Sequence, residues 1–309
     1  VKLVSVHMER KLKKQKKPGV LSQTVKTGII KSNLVPMFAG LTLALYTYNL
    51  NPAEKLADVL FVLIGTILVI GAAGTFNNIY DRDIDAIMER TKNRPTVTGE
   101  IKVKTALMLA AVMAAAGITA LAFTTPLAAV LGFLGLFFYV VPYTMWSKRR
   151  TVYNTEIGSI SGAMPPLIGW AAMTGTLAHP AVFALFIIQV IWQMPHFYAI
   201  AIRRHDEYKA AKIPMLPVEK GIKRTYVQTN VYLVLLCLTS FLFLPLSLGL
   251  TLVALLINAG WLVLSIYGYS KKKDSEKWAK LLFIYSLFHM TILFSTVIVY
   301  SLVGIFILK

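Results

Sequence analysis

Cysteine is almost missing: Cys237 is the only one in 309 residues. A lone cysteine cannot close an internal disulfide, and its place in an apolar run makes it a small core residue. CxxC, CxxCH, HExxH, P-loop and GxGxxG patterns are missing too, so zinc, covalent haem, nucleoside triphosphates and dinucleotides have no support. Charge is sparse at 15%, and acids are the scarcer sign, 14 against 32 basic residues. In a soluble chain a net charge of +18 would point to nucleic acid. The 56% hydrophobic content excludes that class, because it recurs in runs of about 20 residues. The cations lie between those runs, where a membrane explains them better than nucleic acid does.

The pattern predicts an all-α integral membrane protein with nine spans, at about 25–48, 56–80, 104–123, 126–146, 154–174, 180–202, 225–245, 248–269 and 279–307. Odd-numbered connections (49–55, 124–126, 175–180, 245–248) are short and poor in cations. Even-numbered ones (82–104, 148–150, 203–224, 271–280) carry nearly all the charge, as does the run RKLKKQKK at 10–17. The positive-inside rule then puts the N-terminus in the cytoplasm and the C-terminus outside the cell membrane. Pro18 and Gly19 interrupt the basic run before any apolar stretch, so no cleavable signal peptide is expected. Residues 1–24 read as a basic, disordered cytoplasmic tail able to rest on anionic lipid, and 25–309 as one domain around a central cavity open to the cytoplasmic side.

The acids that do exist are concentrated. Asn77, Asp81 and Asp85 close the second apolar run at four-residue spacing, which on a continued helix puts them on one face. Asp83 points away, while Asn78 and Glu89 fall near the same arc. Acids at a helix C-terminus oppose its dipole and are costly beside a bilayer core, so the cluster calls for a cation. Such oxygens suit Mg²⁺, which binds through one or two carboxylates together with substrate phosphates. The plain alternative is a solvated helix end marking the membrane surface.

Other polar residues gather at the same side. Lys148-Arg149-Arg150 is a topology anchor or, facing a metal-bound diphosphate, a set of phosphate donors; Arg90, Lys92 and Arg94 could do the same. Tyr143 precedes that run, and Asn154 and Glu156 open the fifth span, where the acid could equally pair with a nearby cation. Gly158 and Gly162 form a small face for close approach. Pro165-Pro166 and Pro195 should kink or break their spans. The sixth span ends with His196, Arg203, Arg204, Asp206 and Glu207. His196 is either a satisfied hydrogen-bonding residue or a chemical one, and His289 raises the same question.

Three blocks, NNIYDRDIDAIMERTKNRP, YTMWSKRRTVYNTEIGSISGAMPPLIGWAAMTG and WQMPHFYAIAIRRHDEYKAAKIPMLPV, cover much of 77–218. With the NxxxDxxxD core they resemble the intramembrane prenyltransferase superfamily typified by the 4-hydroxybenzoate polyprenyltransferases, and within it the protohaem IX farnesyltransferase (haem O synthase) branch. The resemblance implies transfer of farnesyl from farnesyl diphosphate to a vinyl group of haem B, with hydration, to give haem O and diphosphate. It implies Mg²⁺ at Asn77, Asp81 and Asp85 beside Lys148 and Arg149. It implies substrate contacts from Asn78, Arg90, Arg94, Tyr143, Asn154, His196, Arg203, Arg204 and Asp206, and a haem A synthase or oxidase-assembly protein as a candidate partner. The superfamily's second DxxxD is absent here, so Arg203 or Arg204 is expected to pair with diphosphate where a second metal would sit. The rival functions are a prenyltransferase for another aromatic acceptor and a secondary transporter.

Overall fold

The computed structural model describes residues 19–271 and 274–307; the basic run 10–17 lies outside them. The described residues form helices and no strand. A short α1 (Val20–Thr24) leads into α2 (Thr27–Thr47) and α3 (Leu56–Tyr80), and α4 (Arg82–Ile87) continues directly from α3. Then come α5 (Val103–Ala122), α6 (Pro126–Phe138), α7 (Asn154–Gly162), α8 (Met164–Thr174) and α9 (Pro180–Arg203). After α9 come α10 (His205–Ala210), α11 (Gly221–Thr239), α12 (Leu248–Lys271) and α13 (Ser275–Phe306), and two four-residue helices, Pro95–Thr98 and Leu216–Glu219, precede α5 and α11.

Among the described residues, eight of the nine expected spans are unbroken helical runs long and apolar enough to cross a membrane. The fifth is α7 plus α8, interrupted at Ala163. Pro165 and Pro166 occupy the first turn of α8, where a missing N–H costs nothing. At the break Gln193 Nε2 donates to Ser159 O at 2.9 Å, a carbonyl that also accepts from the Ala163 N–H at 3.0 Å. Pro195 behaves differently. The helix α9 passes through it without a break, held by buried contacts on several sides.

Two corrections concern segment ends. Residues 20–24, expected in a disordered tail, form α1 with Thr24 fully buried. Asn78 Nδ2 donates to Gln23 O at 3.2 Å and Thr24 O at 2.9 Å, so the folded bundle begins before residue 25. The fourth span does not end as an α-helix. Pro142 has no N–H to give, and from Tyr139 to Trp146 the chain widens into a π-helix, then tightens into one 3₁₀ turn over Ser147–Arg149. Insertions of that kind re-aim side chains and favour functional sites.

The main apolar core runs through the bundle, with Trp170, Trp261 and Trp278 fully buried. Backbones meet where side chains vanish: a Cβ on Gly40 would lie 2.0 Å from Pro166 O, and one on Gly169 2.1 Å from Met37 O. These contacts lock α2 onto α8 by the small-residue packing of membrane helices. The outward faces carry exposed residues such as Leu256, Val112, Phe123 and Phe288, a surface suited to lipid.

Candidate active site

The acid cluster depends on a helix that does not quite stop. Between α3 and α4 the Asp81 N–H still bonds Asn77 O at 2.9 Å and the Asp85 N–H bonds Asp81 O at 2.8 Å. The i to i−4 ladder therefore crosses the joint, and Asn77, Asp81 and Asp85 stack along one buried face. Asp83 points outward, as its spacing predicts, with 65% of its side chain exposed.

Cations from three segments close on this face. Lys148, delivered by the 3₁₀ turn, pairs with Asp81 Oδ2, and Arg149 Nη2 lies 3.5 Å from Asp81 Oδ1. Arg149 also grips Asp83 with two bonds of 2.7 Å. Arg94 Nη1 reaches Asp85 Oδ2 at 2.5 Å. Lys26, between α1 and α2, donates to Asn77 Oδ1, and Asn77 Nδ2 donates to Asp81 Oδ2 at 2.8 Å and Thr144 Oγ1 at 2.9 Å. Four cations thus gather at the two buried acids, the Asn77 amide and the outward Asp83. Burial, with the charges of Arg94 and Lys148, holds the Lys26 ammonium well below the usual lysine range. The Arg149 hydrogen bonds keep the Asp83 carboxyl below its ordinary value.

Sequence reasoning missed Lys26 and Thr144. It also missed Tyr139 and Tyr208: the first lies within electrostatic reach of Asp81 and Asp85, the second of Arg90 and Arg94. Burial raises the Tyr208 phenol above its usual range. Tyr143 sits against Gly158, where a Cβ would lie 2.7 Å from its ring; at Gly162 the tight neighbour is Gln193. The small face is therefore filled by side chains, one of them a predicted site residue.

Several expected residues are elsewhere. Asn78 turns its amide to α1, as above, and Asn154 Nδ2 bonds Thr151 O at 2.8 Å and Pro214 O at 3.1 Å; both are structural ties. Glu89 is exposed and paired with Lys92 at 2.7 Å. Arg90 has an exposed side chain, while its backbone N–H meets Glu207 at 3.4 Å. Arg204 pairs with Glu207 at 2.7 Å, and Asp206, with a fully exposed side chain, faces His205 at 3.0 Å. Arg203 lies over the Phe283 ring at 5.1 Å. Glu156 meets no cation: it accepts from Tyr198, from Gln228 at 2.9 Å and from Tyr232 at 3.2 Å, joining α7, α9 and α11. The two long loops do meet, through an apolar patch in which Ile84 and Met88 pack with Ala211, Ile213 and Met215.

A family model described as the UbiA prenyltransferase family matches residues 33–287. The chain belongs to that family. Protoheme IX farnesyltransferase 1 of Bacillus cytotoxicus is 71% identical over 94% of this chain and 95% of its own length. Protoheme IX farnesyltransferase 2 of Lysinibacillus sphaericus is 62% identical over 94% and 92%. Among solved structures, that of a digeranylgeranylglyceryl phosphate synthase superposes with TM-score 0.73 at 17% identity, covering 91% of this chain and 97% of its own. A UbiA homologue from Archaeoglobus fulgidus bound to GPP and Mg²⁺ gives 0.68 at 16% identity, covering 93% and 99%. These last two likenesses establish the fold.

UbiA prenyltransferases are membrane enzymes, and the donor set here fits the metal that one of these structures holds. Asn77, Asp81 and Asp85 offer hard oxygens on one face, and Asp81 Oδ1 is buried without a hydrogen bond. Among the described residues no three His, Cys, Asp or Glu side chains make a self-sufficient metal cage. A Mg²⁺ site completed by substrate phosphates does not need one.

Proposed function

We propose that this chain transfers the farnesyl group of farnesyl diphosphate to a vinyl group of haem B, with hydration, releasing diphosphate and haem O. The observation that carries the reading is the buried Asn77–Asp81–Asp85 ladder enclosed by Lys26, Arg94, Lys148 and Arg149. The acceptor is taken from the names of the two relatives.

Asn77, Asp81 and Asp85 are the residues that would hold Mg²⁺, which when bound with diphosphate neutralises charge on the leaving group. The protein's own cations act on that same group. Lys148 and Arg94 now face carboxylates; a diphosphate at the ladder presents further anionic acceptors, and their flexible stems can turn to it. Lys26, which donates to Asn77 Oδ1 beside the ladder, would donate to the same anion. Donors already in place at the developing charge are the main source of rate. Departure of diphosphate leaves an allylic cation. Its C1 bonds the terminal vinyl carbon, and the adjacent carbon then takes water and loses a proton. Apolar walls must keep water away until the carbon–carbon bond has formed.

His196 is placed on the haem side. It lies two helical turns from Arg203, about 10 Å along the axis, and its ring is stacked between Trp192 and Phe283. His289 differs: it is 1% exposed, bonds Asn258 at 2.5 Å and keeps its other nitrogen sealed, so it is interhelical packing.

The loops 82–104 and 203–224 are assigned to the cytoplasmic side with the N-terminus, and the C-terminus to the outside. Single cysteines in either loop should label only after the membrane of intact cells is permeabilised; ready labelling from outside would reverse the orientation. The activity is tested with purified protein, haem B, farnesyl diphosphate and Mg²⁺, read by mass spectrometry. Haem O is the expected product. Uptake of substrate into vesicles without any product would instead make this a transporter.

A further inference from the structure

Ser286, on α13, touches His196 and Trp192 at once. His196 Nδ1 lies 2.7 Å from Ser286 Oγ, and the same hydroxyl lies 2.6 Å from Phe283 O, one turn back. A hydroxyl has one proton, and a carbonyl has none to give. The short contact to Phe283 O therefore takes the serine proton, and the contact to His196 requires hydrogen on Nδ1. The backbone carbonyl of Ser286 meanwhile accepts from Trp192 Nε1 at 3.2 Å. One residue thus fixes both the imidazole and one of the rings stacked on it.

The rest of the surroundings complete the constraint. Trp192 stacks on the imidazole at 4.5 Å and 18° and Phe283 at 5.3 Å and 29°, with Phe197 edge-on at 5.2 Å. Rotation of the ring is blocked. Among the described residues no carboxylate contacts the imidazole, and the rings around it are apolar. A neutral ring with hydrogen on Nδ1 has its lone pair on Nε2. That nitrogen makes no hydrogen bond among the described residues and, unlike His289 Nδ1, is not sealed from the surface.

We propose that Ser286 is a positioning residue for the haem acceptor: it locks His196 as the Nδ1–H tautomer and presents the Nε2 lone pair to the haem iron. The proposal rests on the reading of His196 as the haem-side group. Hydrogen bonds that orient a ligating histidine in this way typically change metal affinity 10–100-fold when removed. Neutral imidazole is a common axial ligand of haem iron.

The test is titration of the purified full-length protein with ferric haem B, reading the Soret band and dissociation constant. Ser286→Ala, and Ser286→Cys as a near-isosteric variant with a poor acceptor, should each shift the Soret band and weaken haem binding about tenfold or more. Ser286→Thr keeps a hydroxyl and should restore both. Retained farnesyl diphosphate binding in each variant reports that the bundle is folded. A wild-type Soret band and haem affinity in either the Ala or the Cys variant, while His196→Ala loses both, overturns the positioning role and leaves His196 as the haem residue. An unchanged haem spectrum in His196→Ala overturns the reading of His196 and the proposal with it.

Discussion

The ends of α3 and α9 look alike as text and differ as structure. Each is the cytoplasm-assigned end of a long apolar helix, and each is crowded with charge. At α3 Asp81 and Asp85 are buried; Lys148 reaches Asp81 across 67 residues, Arg94 reaches Asp85 across 9, and Lys26 reaches Asn77 across 51. At α9 the ion pairs are local, Arg204 with Glu207 and His205 with Asp206, while Arg203 lies over the Phe283 ring. Asp206 remains fully exposed. Charge density alone does not make a site. Long-range convergence under burial does, because only there is each charge removed from water and available to a substrate.

The contrast can be broken from its strong side first. Asp81→Asn and Asp85→Asn should each lower turnover by about 100-fold or more, the scale of a lost charge-stabilising group, and chelation with EDTA should do the same reversibly. Removing one partner of a buried pair also costs about 3–5 kcal/mol, so thermal melting in detergent has to accompany the turnover measurement. Near-normal turnover in either folded variant would sink the ladder as the diphosphate site. Lys148→Ala and Lys26→Met come next, with a loss of about 10- to 100-fold that includes a raised KM for farnesyl diphosphate; a KM unchanged in both would detach these lysines from the diphosphate.

The weak side supplies the control. Arg204→Ala and Asp206→Asn should stay within about threefold of wild type, as exposed, locally paired groups do. A loss at Asp206 comparable to that at Asp81 would mean that the two ends are functionally equivalent after all. Smallest of all is Asp83→Asn. Because Arg149 depresses the Asp83 pKa, the pair's contribution is present above the ordinary carboxylate value of about 3.9 and disappears as pH falls through the lowered one. Solvent screening keeps that contribution small. Melting curves of Asp83→Asn and wild type between pH 5 and 3 should nearly overlay, and a wide gap would show that Asp83 belongs to the buried network.

The ladder was legible because a period of four and an apolar context are both visible in a string of letters. The broken fifth span was legible for a similar reason, since adjacent prolines leave few alternatives. Lys26 was not. It sits at the edge of an apolar run, where lysine ordinarily marks a boundary, and it reaches inward from a left-handed backbone with φ 55° that no glycine or asparagine announces. Thr144 was hidden by the π-helix, which rotates the helix face after Pro142. Asn78 and Asn154 tie segments together through carbonyls distant in sequence, which the letters do not show. After Arg203, Arg204 pairs with Glu207 at three-residue spacing and His205 with its neighbour Asp206.

The distances along the chain between the partners have a consequence for biogenesis. A nascent chain that has completed only its third span already has Arg94 to pair with Asp85, while Lys148, the partner of Asp81, is still to come. Its acid ladder is then half neutralised, and a carboxylate in that position resists burial. The first hairpin cannot settle into its final depth until the fourth span has entered and turned through Pro142. Closure of the site is therefore coupled to insertion of the first four spans. A chain stalled before residue 148 would expose an uncompensated acid for the quality-control machinery of the membrane to recognise.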